Sequence, residues 1–204
     1  MRSISPIAII PKEFYLQDPV KLAPKLLGKI FVRKFGEIFL TGKIVEVEAY
    51  RGEDDEAAHT YKGKTKRNEV MYREGGFLYV YFTYGMHFCA NIVCGKENEG
   101  SAILIRAVEP IDGIDIMIMN RFGKTKVSSI QRKNLTNGPA KFCHAFAIER
   151  KDNGLELTKE PIFLLNGEKI LKKEIVTTTR IGIKKSADLP WRFYIKDNSY
   201  VSKK

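Results

Sequence analysis

Ile44-Val45-Glu46-Val47-Glu48-Ala49-Tyr50 is the stretch on which the reading of this chain turns. Apolar residues alternate with two carboxylates and a tyrosine, which is the period of a β-strand. In a regular strand Val45, Val47 and Ala49 point into a core, while Ile44, Glu46, Glu48 and Tyr50 share the other face. The carboxylates then stand about 7 Å apart. Like charges at that spacing raise one pKa and create a general acid or base if the face is half buried. A solvated strand face carries the same pattern, so both readings stand at this point.

The neighbouring segments extend the sheet. Ile30–Arg33 reads as a strand joined to Ile38–Tyr50 by a turn at Phe35-Gly36-Glu37. Asp18-Pro19 starts a helix, with Asp as N-cap and Pro at the first position. Leu22, Leu26 and Leu27 form its apolar face, Gly28 ends it, and Pro24 shortens or kinks it. Residues 51–76 are polar without a sustained period and read as a long functional loop. Phe77–Cys94, aromatic and β-branched around Gly85, reads as a hairpin. Ser101–Ala107 is a strand closed by Glu109-Pro110, Ile111–Arg121 and Pro139–Ile148 read as helices, and residues 160–201 alternate short strands with Lys-rich turns. The expected fold is α+β: a single domain over residues 1–204, its mainly antiparallel curved sheet flanked by helices, with a protruding hairpin.

The 204 residues carry 35 Lys+Arg against 24 Asp+Glu, a net charge of +11. Residues 1–120 hold 16 basic and 16 acidic side chains, so the whole excess lies in residues 121–204. That asymmetry points to a polyanion, nucleic acid ahead of an anionic membrane. The composition excludes collagen, low-complexity disorder and a disulfide scaffold. No stretch approaches the roughly 18 apolar residues of a membrane span. Ile7–Ile10 is too short for an export signal and is stopped by Pro11. Cys89, Cys94 and Cys143 read as reduced thiols. Cys89 and Cys94 with His87 nearby lack an evident fourth ligand for a metal. The expectation is a protein that is not secreted, cytoplasmic in a bacterium or nuclear in a eukaryote.

Further chemistry gathers between residues 53 and 106. Glu53-Asp54-Asp55-Glu56, followed by His59, suits either a hard cation or a solvated turn. Lys62-Gly63-Lys64-Thr65-Lys66-Arg67-Asn68 offers cations and backbone N–H groups to phosphates. Tyr72, Phe77, Tyr79, Tyr81, Phe82, Tyr84, His87 and Phe88 place eight rings in 17 residues. Phe77, Phe82 and Phe88 read as core. The tyrosines double as stacking platforms for unstacked bases. Tyr84-Gly85 marks the hairpin tip, and Asn91 on the return strand can read a base edge. Arg106 ends an apolar strand, and burying it requires a carboxylate such as Glu48.

Taken in order, Val47-Glu48-Ala49-Tyr50, Asp55-Glu56-Ala57-Ala58-His59, Arg67-Asn68, Leu78-Tyr79-Val80-Tyr81, Tyr84-Gly85-Met86, Asn91, Leu104–Pro110, Asn137-Gly138-Pro139, Arg180-Ile181-Gly182 and Arg192-Phe193-Tyr194 resemble the alkyladenine (3-methylpurine) DNA glycosylases. The resemblance covers about residues 18–202, leaving residues 1–17 as an N-terminal extension. It implies excision of alkylated or deaminated purines (3-methyladenine, 7-methylguanine, hypoxanthine, ethenoadenine) by base flipping. No cofactor and no metal is implied. Glu48 would activate water for attack at the sugar C1′, and Arg106 and the backbone of Ile181 would help to hold that water. Tyr50, His59 and Tyr81 would line the base pocket, and Asn91 would crowd the amino group of normal guanine. Tyr84 would fill the gap left in the duplex. Arg67, Met86, His87, Lys141, Arg180 and Gly182 would touch DNA; His87 departs from the family pattern, where another aromatic is expected. The implied partner is double-stranded DNA containing damaged purines, bound by a monomer, with no membrane. No Lys beside Glu48 is placed to form a Schiff base, so a monofunctional enzyme is expected. The competing readings are a Mg²⁺-dependent nuclease built on Glu46, Glu48 and Asp54 or Asp55, and a non-catalytic nucleic-acid-binding module.

Overall fold

The computed structural model describes residues 8–83 and 85–203. Tyr84, the expected duplex wedge, lies outside the described residues. After a 3-10 turn at Lys12–Tyr15 the polypeptide forms α1 (Pro19–Leu26), whose N-cap Asp18 accepts from the backbone N–H groups of Val20 and Lys21. Leu22, Leu26 and Leu27 are buried, and Gly28 turns the chain at φ +83°. There follow β1 (Ile30–Phe35), β2 (Ile38–Arg51), β3 (Leu78–Thr83), β4 (His87–Cys94) and β5 (Ser101–Asp112). After α2 (Ile114–Phe122), α3 (Ser129–Lys133) and α4 (Pro139–Ala145) come β6 (Thr158–Lys159), β7 (Ile162–Leu165), β8 (Ile175–Thr178) and β9 (Arg192–Ile195).

The strands form one curled sheet in the order β3-β4-β5-β2-β1-β7-β6, with every pairing antiparallel. β2 organises it. One edge follows β5 along most of its length; the other pairs with β1 up to Lys43 and with β9 from Glu46 to Glu48. The α+β architecture, the antiparallel sheet and the hairpin β3–β4 are as expected. Helices α1 and α4 cover the core face, where Phe31 meets Phe142 edge-on at 5.0 Å. Among the described residues no helix is long and apolar enough to cross a membrane.

The central strand departs from simple alternation. Across β5, Ile44 pairs with Val108 but Glu46 with Ala107, so Val45 is an extra residue on β2. Val47 then pairs with Ile105, so Arg106 is an extra residue on β5. Bulges of this kind kink a strand and re-aim a side chain. Ile44, expected beside the glutamates, therefore joins the core with Val47 and Ala49, whereas Val45 is buried outside that cluster.

Other boundaries also moved. β5 continues through Pro110, opposite Gly42 at a register shift, where proline is tolerated. α2 accordingly starts only after Gly113, and α4 ends at Ala145 rather than at Ile148. α3 was not anticipated, although Ser128 and Gln131 form a capping box at its start. Phe82, read as core, is 39% exposed near the hairpin tip, tilted against Phe88 at 5.1 Å.

β2 leads into the following loop through Gly52, at φ +48°, where an added Cβ would stand 2.3 Å from the backbone oxygen of Glu99. Gly52→Ala is expected to cost more than about 1 kcal/mol, because neither the backbone conformation nor the space admits a side chain. Urea denaturation midpoints check this.

Candidate active site

Glu46 and Glu48 project from the same face of β2, and both are completely buried. Glu48 Oε2 accepts from the Tyr50 hydroxyl at 2.9 Å. Its Oε1 accepts from the backbone N–H of Ile181 at 2.7 Å and lies 3.2 Å from Arg106 Nη1. Arg106 Nε donates to Glu46 Oε1 at 3.0 Å, which also receives Arg192 Nε at 2.8 Å. The bulge that makes Arg106 the unpaired residue of β5 lets it reach both acids. Pairing with Arg106 was expected of Glu48; the second partner, Glu46, was not.

Beside the acids lies a small cavity of about 110 Å³, lined by Tyr50, Ala57, His59, Met71, Tyr79, Tyr81, Asn91 and Ile183. Tyr81 stacks on Tyr79 at 5.6 Å and meets His59 edge-on at 4.4 Å. Tyr79 and Tyr81 come from alternate positions of β3, and Asn91 on β4 pairs opposite Tyr79, its amide donating to the Tyr79 carbonyl at 3.2 Å. His59 Nδ1 is 3.0 Å from the Tyr79 hydroxyl. Burial pushes the Tyr79 hydroxyl pKa up to about 12. Burial of part of the His59 ring, then the Arg67 guanidinium, hold its pKa below the usual value. Burial, reinforced by Glu48, raises that of Tyr50, and burial with the Cys89 thiol raises that of Tyr81.

The structure thus brings together Glu48, Arg106, Tyr50, His59, Tyr81, Asn91 and the backbone of Ile181. Met71, Ala57 and Ile183 join the pocket without having been singled out, and Tyr79, read only as one of several stacking rings, lines it as well. Tyr79 had a usable signal, because it alternates with Tyr81. The Ile183 contact follows only from the return of residues 180–183 to β2, which no local pattern announces.

The expectation that Arg180 contacts DNA is corrected. Its guanidinium is buried and grips buried Asp55 with both Nη atoms, donates to the backbone oxygens of Ala49 and Ser186, and lies 4.7 Å from the Tyr50 ring centre. It anchors the loop rather than a phosphate. Of the others, Arg67, Met86, His87 and Gly182 are exposed. Lys141 is half-buried, its Nζ donating to the side-chain oxygens of Asn137 at 2.8 Å and Asn134 at 3.3 Å.

The acids are poorly disposed for a divalent cation. Glu46, Glu48 and Asp55 already face arginines, and among the described residues no group of three or more His, Cys, Asp or Glu could hold a metal ion. Cys89, Cys94 and Cys143 are free and buried.

A buried acid paired with an arginine thus stands beside a pocket walled by aromatic rings. The family described as "Methylpurine-DNA glycosylase (MPG)" matches residues 13–199. Relatives named "Putative 3-methyladenine DNA glycosylase" occur in Clostridium botulinum (45% identical, over 96% of this chain and 100% of the relative) and Clostridium novyi (50%, over 95% and 98%). Another, from Carboxydothermus hydrogenoformans, is 48% identical over 96% of this chain and 100% of its own. The chain belongs to the methylpurine-DNA glycosylase family. It is a DNA glycosylase, a hydrolase of N-glycosyl bonds, and DNA is its partner.

The depressed pKa of His59 has a thermodynamic consequence. As pH falls through the ordinary histidine value of 6.5, the unfolded chain takes up a proton that the folded one resists. The stabilisation from neutral His59 is complete above that pH and is lost on further acidification. His59→Gln is therefore expected to flatten the decline of stability between pH 7 and 5, measured as denaturation midpoint against pH.

Proposed function

We propose that this protein extrudes alkylated or deaminated purines from duplex DNA and hydrolyses the glycosidic bond with a water activated by Glu48. The observation that carries this reading is the position of Glu48, buried beside the aromatic cavity with both oxygens held by Tyr50, Ile181 and Arg106. A base within a duplex is unreachable, and extruding it costs a few kcal/mol, least when it is damaged or mispaired. Stacking on Tyr50 and Tyr81 offsets part of that cost, and a positively charged lesion such as 3-methyladenine is attracted to the ring faces. In the tautomer in which the Tyr79 hydroxyl donates to His59 Nδ1, the proton of neutral His59 sits on Nε2 and offers a donor to the base edge. Asn91 crowds the cavity against the amino group of guanine, which weighs against the normal base.

The chemistry asks little of the protein beyond placement and charge. A cationic base leaves readily. As it departs, positive charge develops on the sugar, and the Glu48 carboxylate stabilises that charge while orienting water toward C1′. Arg106 helps to place the water and the carboxylate. Hypoxanthine and ethenoadenine, being neutral, depend more on the fit of the cavity. The enzyme acts as a monomer and leaves an abasic site. The excess charge of residues 121–204 grips phosphates, and Lys141 is a suitable contact because its described hydrogen-bond partners are amides rather than a carboxylate.

Glu48→Gln is expected to reduce release of free 3-methyladenine from methylated duplex by at least about 100-fold while duplex binding survives. Release that persists at the wild-type rate would overturn the role of Glu48, and release that disappears in EDTA would favour a nuclease. Lys141→Ala is expected to lower the slope of log K against log salt by about 0.9, measured by fluorescence anisotropy across a salt series.

A further inference from the structure

We propose that Glu46 and Ser202 are positioning residues for base excision, holding Arg106 at the angle from which its Nη1 meets Glu48. The inference rests on the roles of Glu48 and Arg106 argued under the proposed function. Glu46 is completely buried and does not line the aromatic cavity, yet four donors converge on it. Oε1 receives Arg106 Nε at 3.0 Å, Arg192 Nε at 2.8 Å and the Ser202 hydroxyl at 2.9 Å; Oε2 receives the Ser202 backbone N–H at 2.6 Å.

Arg192 and the Ser202 backbone N–H already give each oxygen of Glu46 one partner. Arg106 is added to these, and it is shared. Its Nε is fixed by Glu46, its Nη1 faces Glu48, and its Nη2 lies 3.3 Å from the Ser202 hydroxyl. Three edges of one planar guanidinium are thereby assigned, and only Nη1 reaches the acid of the site. Because Arg106 is the extra residue of a bulge, the ladder does not set its direction, so its partners must. Ser202 arrives from 156 positions further along the chain. It holds Glu46 through both its backbone N–H and its hydroxyl, and the neighbouring Lys203 carbonyl accepts from Arg192.

The second contribution is charge. Arg106 and Arg192 face Glu46 and Glu48, two cations against two anions. Neutralising Glu46 would leave one cation in excess beside the centre where positive charge develops on the sugar, in a region where water screens little. Both effects act on the rate of bond cleavage and neither on the grip of the duplex.

The test is single-turnover release of 3-methyladenine from methylated duplex, together with the dissociation constant for the same duplex. Four full-length variants are compared: Glu46→Gln, Ser202→Ala, Ser202→Thr and Glu48→Gln. Displacing a reacting group by about 1 Å costs roughly 100-fold. On that scale, Glu46→Gln should slow release at least tenfold and Ser202→Ala by a smaller but measurable factor. Ser202→Thr, which keeps the hydroxyl, should restore the wild-type rate, and all dissociation constants should stay within twofold. If Glu46→Gln does not fold, the Ser202→Ala and Ser202→Thr pair decides. Wild-type release by Ser202→Ala, or a loss confined to duplex binding, overturns the proposal while inactive Glu48→Gln leaves the reading of the site intact. Release by Glu48→Gln at the wild-type rate overturns that reading itself.

Discussion

Two negative charges buried on one strand face are the constraint around which this molecule is arranged. Taking a carboxylate out of water costs several kcal/mol unless it is paired and hydrogen-bonded. Glu46 and Glu48 impose that requirement twice within three residues, on a strand that is itself enclosed between β5 and its neighbours β1 and β9. The answers come from distant parts of the chain: Arg106 on β5, Arg192 on β9, the backbone of Ile181 and the segment at Ser202. Long-range topology and the electrostatics of the buried acids are therefore one problem here. The strands that complete the sheet also bring the cations that make the acids tolerable.

The same principle holds the loop that leaves β2. Asp55, the third fully buried acid, is matched by Arg180, whose guanidinium also packs over the ring of Tyr50. Three buried acids and three buried arginines thus tie the segment carrying His59 and the segment carrying Ile181 to β2 beside the cavity. A surface salt bridge would add little order. A buried, two-pronged one fixes both partners, and removing either leaves the other stranded.

How far the sequence could be read follows from which signals are local. The cap at Asp18, the turn at Gly36 and the hairpin about Gly85 are written within a few residues, and all three stand. Tyr50, His59, Tyr81 and Asn91 line one pocket, with Glu48 bonded to Tyr50 at its side, the residues that the resemblance pointed to. Apart from α3, whose capping box is local, what failed depended on a ladder or a distant partner. Strict alternation placed Ile44 with the glutamates, because a bulge leaves no mark in a run of β-branched residues. Arg180 reads as one more cation in a basic segment, and only the fold shows that its charge is already taken by Asp55. Ser202 sits in a stretch without period, and its bonds to Glu46 are made by a backbone group and a hydroxyl that any turn would also display.

The two bulges in the central strand pair stand to one another as an insertion and its suppressor. Ile44 lies across from Val108 and Val47 across from Ile105, the same register on either side of the irregularity, because one extra residue on β2 is cancelled by one on β5. Deleting Val45 alone would leave Arg106 unmatched and force one half of the ladder to slip by a residue, reversing which side chains face the core. Deleting both would restore a regular sheet, but without the arginine. The two positions are thus coupled across the ladder: a length change in either strand keeps the register only with its counterpart, and losing both removes the arginine that faces Glu46 and Glu48.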